Sequence, residues 1–124
     1  MFMISCHKPV VTVCLAVDPT VITKPPVDVE LVLYADIVFT CGTKTDPSTP
    51  LTRQWFYDNQ PVANDDVMFV AKNGSLVVRL SQVDHGGIHL TGTYLCHVTN
   101  GYSAADASAR LLLHGAERTC KLYD

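Results

Sequence analysis

The stretch LTGTYLCHV, Leu90–Val98, decides the fold. In it a tyrosine, Tyr94, stands two residues before a cysteine, Cys96, within an alternating run. A period of two places Tyr94, Cys96 and Val98 on one face of a strand and His97 on the other. This pattern leaves two interpretations: Cys96 is part of a buried disulfide corner, or it is a reactive thiol in a site that does chemistry.

The same alternation recurs along the chain, while helical periodicity is nearly absent. The other runs are DIVFTC (36–41), TRQWFYD (52–58), SLVVRL (75–80) and ASARLLL (107–113). Their predicted inward sets are Ile37, Phe39 and Cys41; Arg53, Trp55 and Tyr57; Leu76, Val78 and Leu80; and Ala107, Ala109, Leu111 and Leu113. Turn residues separate the runs, and the Pro25-Pro26 pair suits an edge strand that breaks and switches sheets. Seven or so short strands with one apolar face each predict an all-β sandwich of two antiparallel sheets.

Composition limits the class of protein. The chain has 124 residues, enough for one domain, and is 48% hydrophobic and 17% charged, which is typical of a globular protein. A net charge of −3 argues against nucleic acid as a partner. No stretch is long enough for a transmembrane helix, so membrane attachment is expected only through regions outside this chain.

The two ends differ from the middle. Residues 1–17 are interpreted as a leader, a weak signal peptide with a cut after Ala16, or as a fragment edge. Residues 18–114 are predicted to form the domain, and residues 115–124 a C-terminal tail. The chain has five cysteines, so at least one is left over after pairing. Cys6, Cys14 and Cys120 have no assigned partner.

Cys41 and Cys96 lie 55 positions apart, and Trp55 follows Cys41 by 14. This Cys…Trp…Cys order among strands is typical of an immunoglobulin domain, and Tyr94 fits the tyrosine corner of that fold. The resemblance implies a disulfide between Cys41 and Cys96 across the core. In the chain-entropy model, closing a loop of that length stabilises the fold by ~4 kcal/mol.

Residues 18–113 resemble I-set immunoglobulin domains of neuronal cell-adhesion families such as neurofascin, NrCAM, contactins and sidekick. The segments DIVFTCGTKTDPSTPLTRQWFYDNQPV, NGSLVV and GTYLCHVTNGYSAADASARLLL carry the resemblance. It implies a Greek-key sandwich whose structural core includes Trp55, Leu76 and Tyr94. It also implies an extracellular or cell-surface module that binds cell-surface proteins, homophilically or heterophilically. No catalytic, cofactor-binding or metal-binding residues and no small-molecule substrate are expected.

The sequence departs from this family before the tyrosine. Leu90 stands where the family has the aspartate of Asp-x-Gly-x-Tyr-x-Cys, an aspartate that normally pairs with a basic residue across the bottom of the sandwich. The loop before the tyrosine corner, from Val83 to Gly92, is also about three residues longer than the family resemblance leads us to expect. Ile88–Gly92 is therefore interpreted as an insertion. Gly87 or Gly92 is then the corner glycine.

Possible catalytic and metal sites have simpler interpretations. Cys96 as a nucleophile would need a neighbouring base, but His97 points to the opposite face of the strand. His85 and His89 have the spacing of a zinc-binding helix, but the glycines between them favour a solvated loop. The acidic pair Asp65–Asp66 could serve calcium, but a solvated turn is the simpler interpretation.

Asn73-Gly74-Ser75 is a glycosylation sequon and also reads as a hairpin turn, which makes Asn73 a candidate glycan site. Candidate contact surfaces are the Thr45–Pro50 loop, the Gln60–Asp66 turn and the Tyr102–Asp106 loop. Two alternatives to an adhesion module are an intracellular, muscle-type I-set domain and an immune-type variable domain. The variable type would need two extra strands between Trp55 and Leu76, and that interval is short for both.

Overall fold

A computed structural model describes residues 17–113, and the structural statements below concern those residues. It contains ten short strands and two 3-10 helical segments. The strands are β1 Val21–Lys24, β2 Val29–Glu30, β3 Ile37–Phe39, β4 Gly42–Lys44, β5 Thr52–Tyr57, β6 Gln60–Pro61, β7 Met68–Val70, β8 Leu76–Val78, β9 Gly92–Thr99 and β10 Ala104–Leu112. The 3-10 segments are Leu80–Gln82 and Asp84–Leu90.

The strands form the two layers of a sandwich. One layer is a five-stranded sheet in the order β2-β10-β9-β5-β6. The other contains the three-stranded sheet β3-β8-β7 and the pair β1-β4, where β4 begins three residues after β3 ends. The all-β immunoglobulin-like sandwich that the sequence predicts is therefore confirmed. One pair differs from the expected antiparallel pattern, because β2 runs parallel to β10.

The parallel pair arises where the first strand changes sheets. β1 pairs with β4 in one layer, and β2 pairs with β10 in the other. Pro25 and Pro26 lie between them. Proline lacks the N–H that a continuous ladder needs, so the break falls at the double proline.

The interval between β5 and β8 contains the two-residue β6 and the three-residue β7. β6 extends the five-stranded sheet, and β7 is the edge of the three-stranded sheet. Only β6 therefore adds to the five-stranded sheet in this interval of the described chain, which fits the I-set architecture and not the two extra strands of a variable domain.

The core lies between the two layers, and alternation predicted most of it. Phe39, Leu76, Val78 and Leu80 are each at most 1% exposed. The prediction for Leu113 is wrong, since this side chain is 42% exposed. β10 ends at Leu112, and its last residue paired with β9 is Leu111 opposite Gly92, so Leu113 lies beyond the facing strand.

Candidate recognition surfaces

The centre of the domain is a buried disulfide. Cys41 and Cys96 are bonded, with their Cα atoms 6.5 Å apart. Both are at most 1% exposed, which leaves neither sulfur available as a nucleophile. Trp55 is opposite Cys96 in the β5–β9 register and is also buried. The reactive-thiol interpretation of Cys96 therefore has no support in this geometry.

The Trp55 side chain also fixes one end of the sandwich. Its indole Nε1 donates a hydrogen bond of 2.9 Å to the carbonyl of Gly74, in the turn between β7 and β8. Gly74 has a φ of +89°, and a Cβ at this position would lie 2.3 Å from the Arg53 guanidinium. Arg53 in turn donates from Nη2 to Thr43 Oγ1 at 3.0 Å. The β7–β8 turn is thus held to β5 by a buried indole and a packed guanidinium.

Three stacked rings occupy the opposite end of the core. Tyr94 lies between Phe39 and Tyr57, with ring centroids 4.8 Å and 4.7 Å away. Its hydroxyl donates to the Leu90 carbonyl at 2.5 Å, four residues upstream, which is the geometry of a tyrosine corner. Burial raises the pKa of Tyr94 far above its usual value, and the nearby Tyr57 and Asp58 raise it further.

The loop before the corner is a 3-10 segment, Asp84–Leu90, and not a strand. Its residues His85, Gly86 and Gly87 all have positive φ. β9 begins only at Gly92, whose φ is +147° and where a Cβ would lie 2.7 Å from the Asp58 carboxylate. Gly92, two residues before Tyr94, therefore occupies the corner, whereas Gly87 lies in the loop. A regular strand from Gly87 through Cys96 would have contradicted an insertion at Ile88–Gly92, but β9 begins only at Gly92, and the insertion stays a prediction.

Leu90 carries no charge and cannot form the ion pair of the family's aspartate, whereas Asp36 and Arg79 form a separate ion pair. Leu90 is half-buried and packs against the core. Arg79 lies 3.8 Å from the Asp36 carboxylate. Asp36 also accepts hydrogen bonds from the amide and hydroxyl of Ser81, and these bonds, followed by Arg79, hold the pKa of Asp36 below its usual value. Asp36 thus provides an acidic partner for Arg79 from another part of the chain.

Two of the three predicted contact loops meet at one end of the sandwich. Asn100, which is 4% exposed, donates from its amide to Thr45 Oγ1 at 3.2 Å. Its carbonyl oxygen accepts hydrogen bonds from the amides of Tyr102 and Ser103. The Thr45–Pro50 and Tyr102–Asp106 loops are therefore joined through one buried amide, and Tyr102 projects with 71% exposure.

The third predicted loop, Gln60–Asp66, is separate from the other two. Gln60 pairs with Tyr57, at the end of β5 opposite the one where Thr52 pairs with Thr99. The rest of this loop protects the edge of β7. Asp65 Oδ1 accepts from the amides of Val67 and Met68 at 2.9 Å, and Asn64 Oδ1 accepts from Val70 at 3.0 Å. This part of the loop is structural, because it satisfies strand amides that would otherwise be open to another chain.

Asn73 lies in the exposed turn between β7 and β8. Its Oδ1 accepts from the Ser75 amide at 2.9 Å, and its side-chain nitrogen is the atom that a glycan would modify. Gly74 of the same turn contacts Arg53, so the sequon is at the end of the sandwich that carries Thr43. Glycosylation of Asn73 stays a prediction.

The sequence reasoning missed an apolar row on the solvent side of the five-stranded sheet. Phe56 pairs with Leu95 and Leu95 pairs with Ser108, and both apolar side chains are half-buried at positions that alternation assigns to solvent. The row above it consists of the polar residues Gln54, His97 and Asp106, and the row below it contains Thr93 and Arg110. We use the name outer face for the residues Gln54, Phe56, Thr93, Leu95, His97, Asp106, Ser108 and Arg110. Apolar letters at outward positions of β5 and β9 are the sequence signal that could have found it.

A second unpredicted surface lies at the end of the sandwich near the Asp84–Leu90 segment. The exposed residues there are Val32, Leu33, Tyr34 and Ile88, at 63%, 49%, 61% and 45%. The Tyr34 amide donates to the Gly86 carbonyl at 3.1 Å, which joins the two loops. Three consecutive exposed apolar residues at 32–34 were visible in the sequence but lie outside any strand pattern.

The metal sites considered from the sequence gain no support from the placement of their residues in the described part of the chain. His85 and His89 are exposed in the irregular loop, and Asp65 caps a strand edge. Among residues 17–113, no three His, Cys, Asp or Glu side chains come together as a set that could hold a metal ion. Cys6, Cys14, Cys120, the tail and all of the proposed leader except Val17 lie outside the described residues. None of the helices among residues 17–113 is long and apolar enough to cross a membrane.

A disulfide across two packed sheets, an indole beside it and a tyrosine corner together define an immunoglobulin-type β-sandwich. The family model of the immunoglobulin I-set domain matches residues 20–113. The chain therefore belongs to the I-set family of immunoglobulin domains.

Curated relatives include cell-adhesion proteins. The chain is 30% identical to the neuronal cell adhesion molecule of Gallus gallus over 102 residues, which cover 82% of this chain and 8% of that protein. It is 28% identical to contactin-6 of Homo sapiens over 104 residues, which cover 79% of this chain and 10% of that protein. The chain thus spans about a tenth of the length of these relatives.

Solved structures share the fold. A chimeric titin Z1Z2 superposes with a TM-score of 0.66 at 15% identity, covering 79% of this chain and 97% of that one. At this identity the likeness concerns the fold alone.

Proposed function

We propose that this chain is an extracellular recognition module of the cell-adhesion type, which binds other cell-surface proteins and catalyses no reaction. The observation that carries the proposal is the disulfide between Cys41 and Cys96 at the centre of an I-set core. Disulfides persist in oxidising compartments and are rare in the cytosol. The similarity to the neuronal cell adhesion molecule supports the same class of function.

The geometry supports recognition by surfaces and not by an enclosed site. A cross-linked core holds the two sheets in a fixed relation, so loops and sheet faces keep their shape when a partner binds. The joined Thr45–Pro50 and Tyr102–Asp106 loops expose Tyr102, an aromatic residue of the kind that is enriched in protein interfaces. The proposed partners are cell-surface proteins, and the net charge of −3 disfavours nucleic acid.

The compartment can be tested on protein secreted from mammalian cells behind an external leader peptide. We expect a peptide map without reduction to contain a cross-linked Cys41–Cys96 peptide. We also expect a glycosidase-sensitive mass at Asn73 that is absent from the Asn73→Gln variant. Secreted protein in which Cys41 and Cys96 are both alkylated without reduction would contradict the extracellular assignment and favour the intracellular, muscle-type alternative.

Recognition can be tested with beads that carry the secreted chain. We expect them to bind neural cells and to lose binding after the cells are treated with protease, because the proposed partners are surface proteins. A Cys41→Ala/Cys96→Ala double variant is the control for folding. Bead binding that is unchanged after protease treatment would show that surface proteins are not the partners.

A further inference from the structure

The outer face contains a charge pattern centred on Ser108. Asp106 and Arg110 lie two residues to either side of Ser108 on β10, and they project from the same side of the sheet. Their side chains are 56% and 60% exposed. A strand rises about 3.3 Å per residue, so each charge is about 7 Å along the strand from Ser108. One acid and one base at equal distances from a central residue form a self-complementary pair.

We propose that the outer face binds a second copy of this chain. The dimer is face to face, with a two-fold axis along the row Phe56–Leu95–Ser108. This proposal rests on the recognition function proposed above and identifies its partner as the same protein. An isologous contact of this kind places one surface patch against itself.

The rotation about that row brings opposite charges together. A residue above the Phe56–Leu95–Ser108 row in one copy lies opposite a residue below that row in the other copy. Asp106 of each copy therefore meets Arg110 of the other copy. Arg110 has a guanidinium with five N–H donors and already lies 3.5 Å from Asp28. It can therefore bind Asp28 within its own chain and Asp106 across the interface.

The other polar positions are also compatible with this rotation. His97, hydrogen-bonded to Asp106 at 2.5 Å, is in the row above Leu95, and Thr93 is in the row below. His97 therefore lies opposite Thr93 of the second copy. No like charges of the outer face come together.

The centre of the interface is apolar. Phe56 and Leu95 pair across β5 and β9 and are half-buried, and Pro61 continues the row on β6. Two such rows stacked on each other remove apolar area from water, which is the main favourable term in association. The predicted glycan at Asn73 lies in the turn between β7 and β8, in the other layer, and leaves the outer face open.

The test is sedimentation equilibrium of the 124-residue chain from micromolar concentration to ~1 mM, the range of weak association. We expect a reversible monomer–dimer equilibrium. Asp106→Arg alone and Arg110→Asp alone should each weaken dimerisation by ~10-fold or more, since the contact between Asp106 and Arg110 occurs twice in every dimer. The Asp106→Arg/Arg110→Asp double variant should recover dimerisation, because the swapped charges meet again.

Two further variants separate the interface from the fold. Leu95→Asp should abolish dimerisation by placing a charge at the centre of the row, while Lys44→Glu, an exposed charge change in the other layer, should have no effect. Circular dichroism and thermal melting check that each variant is folded. A wild-type chain that stays monomeric to ~1 mM would overturn the proposal, as would a dimer that is insensitive to the charge variants. A monomer that still carries the disulfide and binds protease-sensitive receptors would remove this inference alone and leave the recognition function standing.

Discussion

Leu90, the residue that departs most from the family, takes part in the tyrosine corner through its backbone carbonyl. Its carbonyl accepts the Tyr94 hydroxyl at 2.5 Å, and the Tyr57 hydroxyl donates to the Thr91 carbonyl at 2.8 Å. Two adjacent carbonyls are therefore held by two stacked tyrosines. The loop before β9 is attached to the core by these two phenol groups and by the packing of the Leu90 side chain against the core.

Tyr94→Phe should destabilise the domain by ~1–2 kcal/mol, because it leaves a partly buried carbonyl without its donor while the ring packing is preserved. Tyr57→Phe is the matched control and should cost less, since Tyr57 is less buried than Tyr94. Urea unfolding followed by Trp55 fluorescence measures both. Equal stability of Tyr94→Phe and wild type would show that the corner bond contributes nothing.

The same tyrosines predict a loss of stability at high pH. Burial, the largest cause in both, raises the pKa of Tyr94 and of Tyr57 above the value of about 10 that tyrosine has in an unfolded chain. The folded state then retains protons that the unfolded state releases. The stabilisation is fully present below pH ~10 and is lost as the pH rises beyond it. The free energy of unfolding measured from pH 8 to 11 should fall more steeply in wild type than in Tyr94→Phe.

At the scale of elements, the Asp84–Leu90 segment depends on close packing. A Cβ at Gly87 would lie 2.4 Å from Leu80, which is fully buried, and its φ is +90°. Gly87→Ala should therefore combine backbone strain with overpacking and destabilise by ~2–4 kcal/mol. Gly101→Ala is a matched control, because Gly101 has the same φ but nothing within 4 Å of its Cβ position. It should cost only ~1–2 kcal/mol in the same unfolding assay. Equal losses in the two variants would contradict the close contact with Leu80.

The edge of β7 gives a second prediction about an element. Asn64 and Asp65 accept the outward amides of this edge, so Asn64→Ala/Asp65→Ala should leave those amides open to pairing with another chain. We expect faster aggregation on heating, measured by light scattering. Asp66→Ala, a neighbouring exposed acid, is the control for the lost charge. Aggregation that is equally fast in the control would point to charge and not to the open edge.

The elements also show what sequence could predict. Alternation identified the strands around Phe39, Trp55, Leu76 and Cys96 because burial of one face is a local, period-two property. It did not predict the parallel pairing of β2 with β10 or the exposure of Leu113, which depend on where distant strands end. The outer face was missed for a related reason: which outward rows lie side by side is set by register between strands.

At the scale of the whole molecule, the disulfide restricts the unfolded chain. Replacing both cysteines, Cys41→Ala/Cys96→Ala, should destabilise by ~4 kcal/mol, since the bond closes a loop of 55 positions. The denaturation midpoint in urea measures the loss. A Cys14→Ala variant controls for removal of a cysteine that has no assigned partner. A double variant as stable as wild type would mean that the bond does not constrain the unfolded state.

The parallel contact of β2 with β10 has a mechanical consequence. The Leu31 amide donates to the Leu112 carbonyl at 2.6 Å, so the first and last parts of the domain are bonded side by side. Tension applied to the two ends pulls these parallel strands in opposite directions and loads their hydrogen bonds together in shear, not one after another. Once they part, the Cys41–Cys96 bond still encloses residues 42–95. Only the segments outside that loop can lengthen, so the domain yields a short extension under load and keeps its central loop closed.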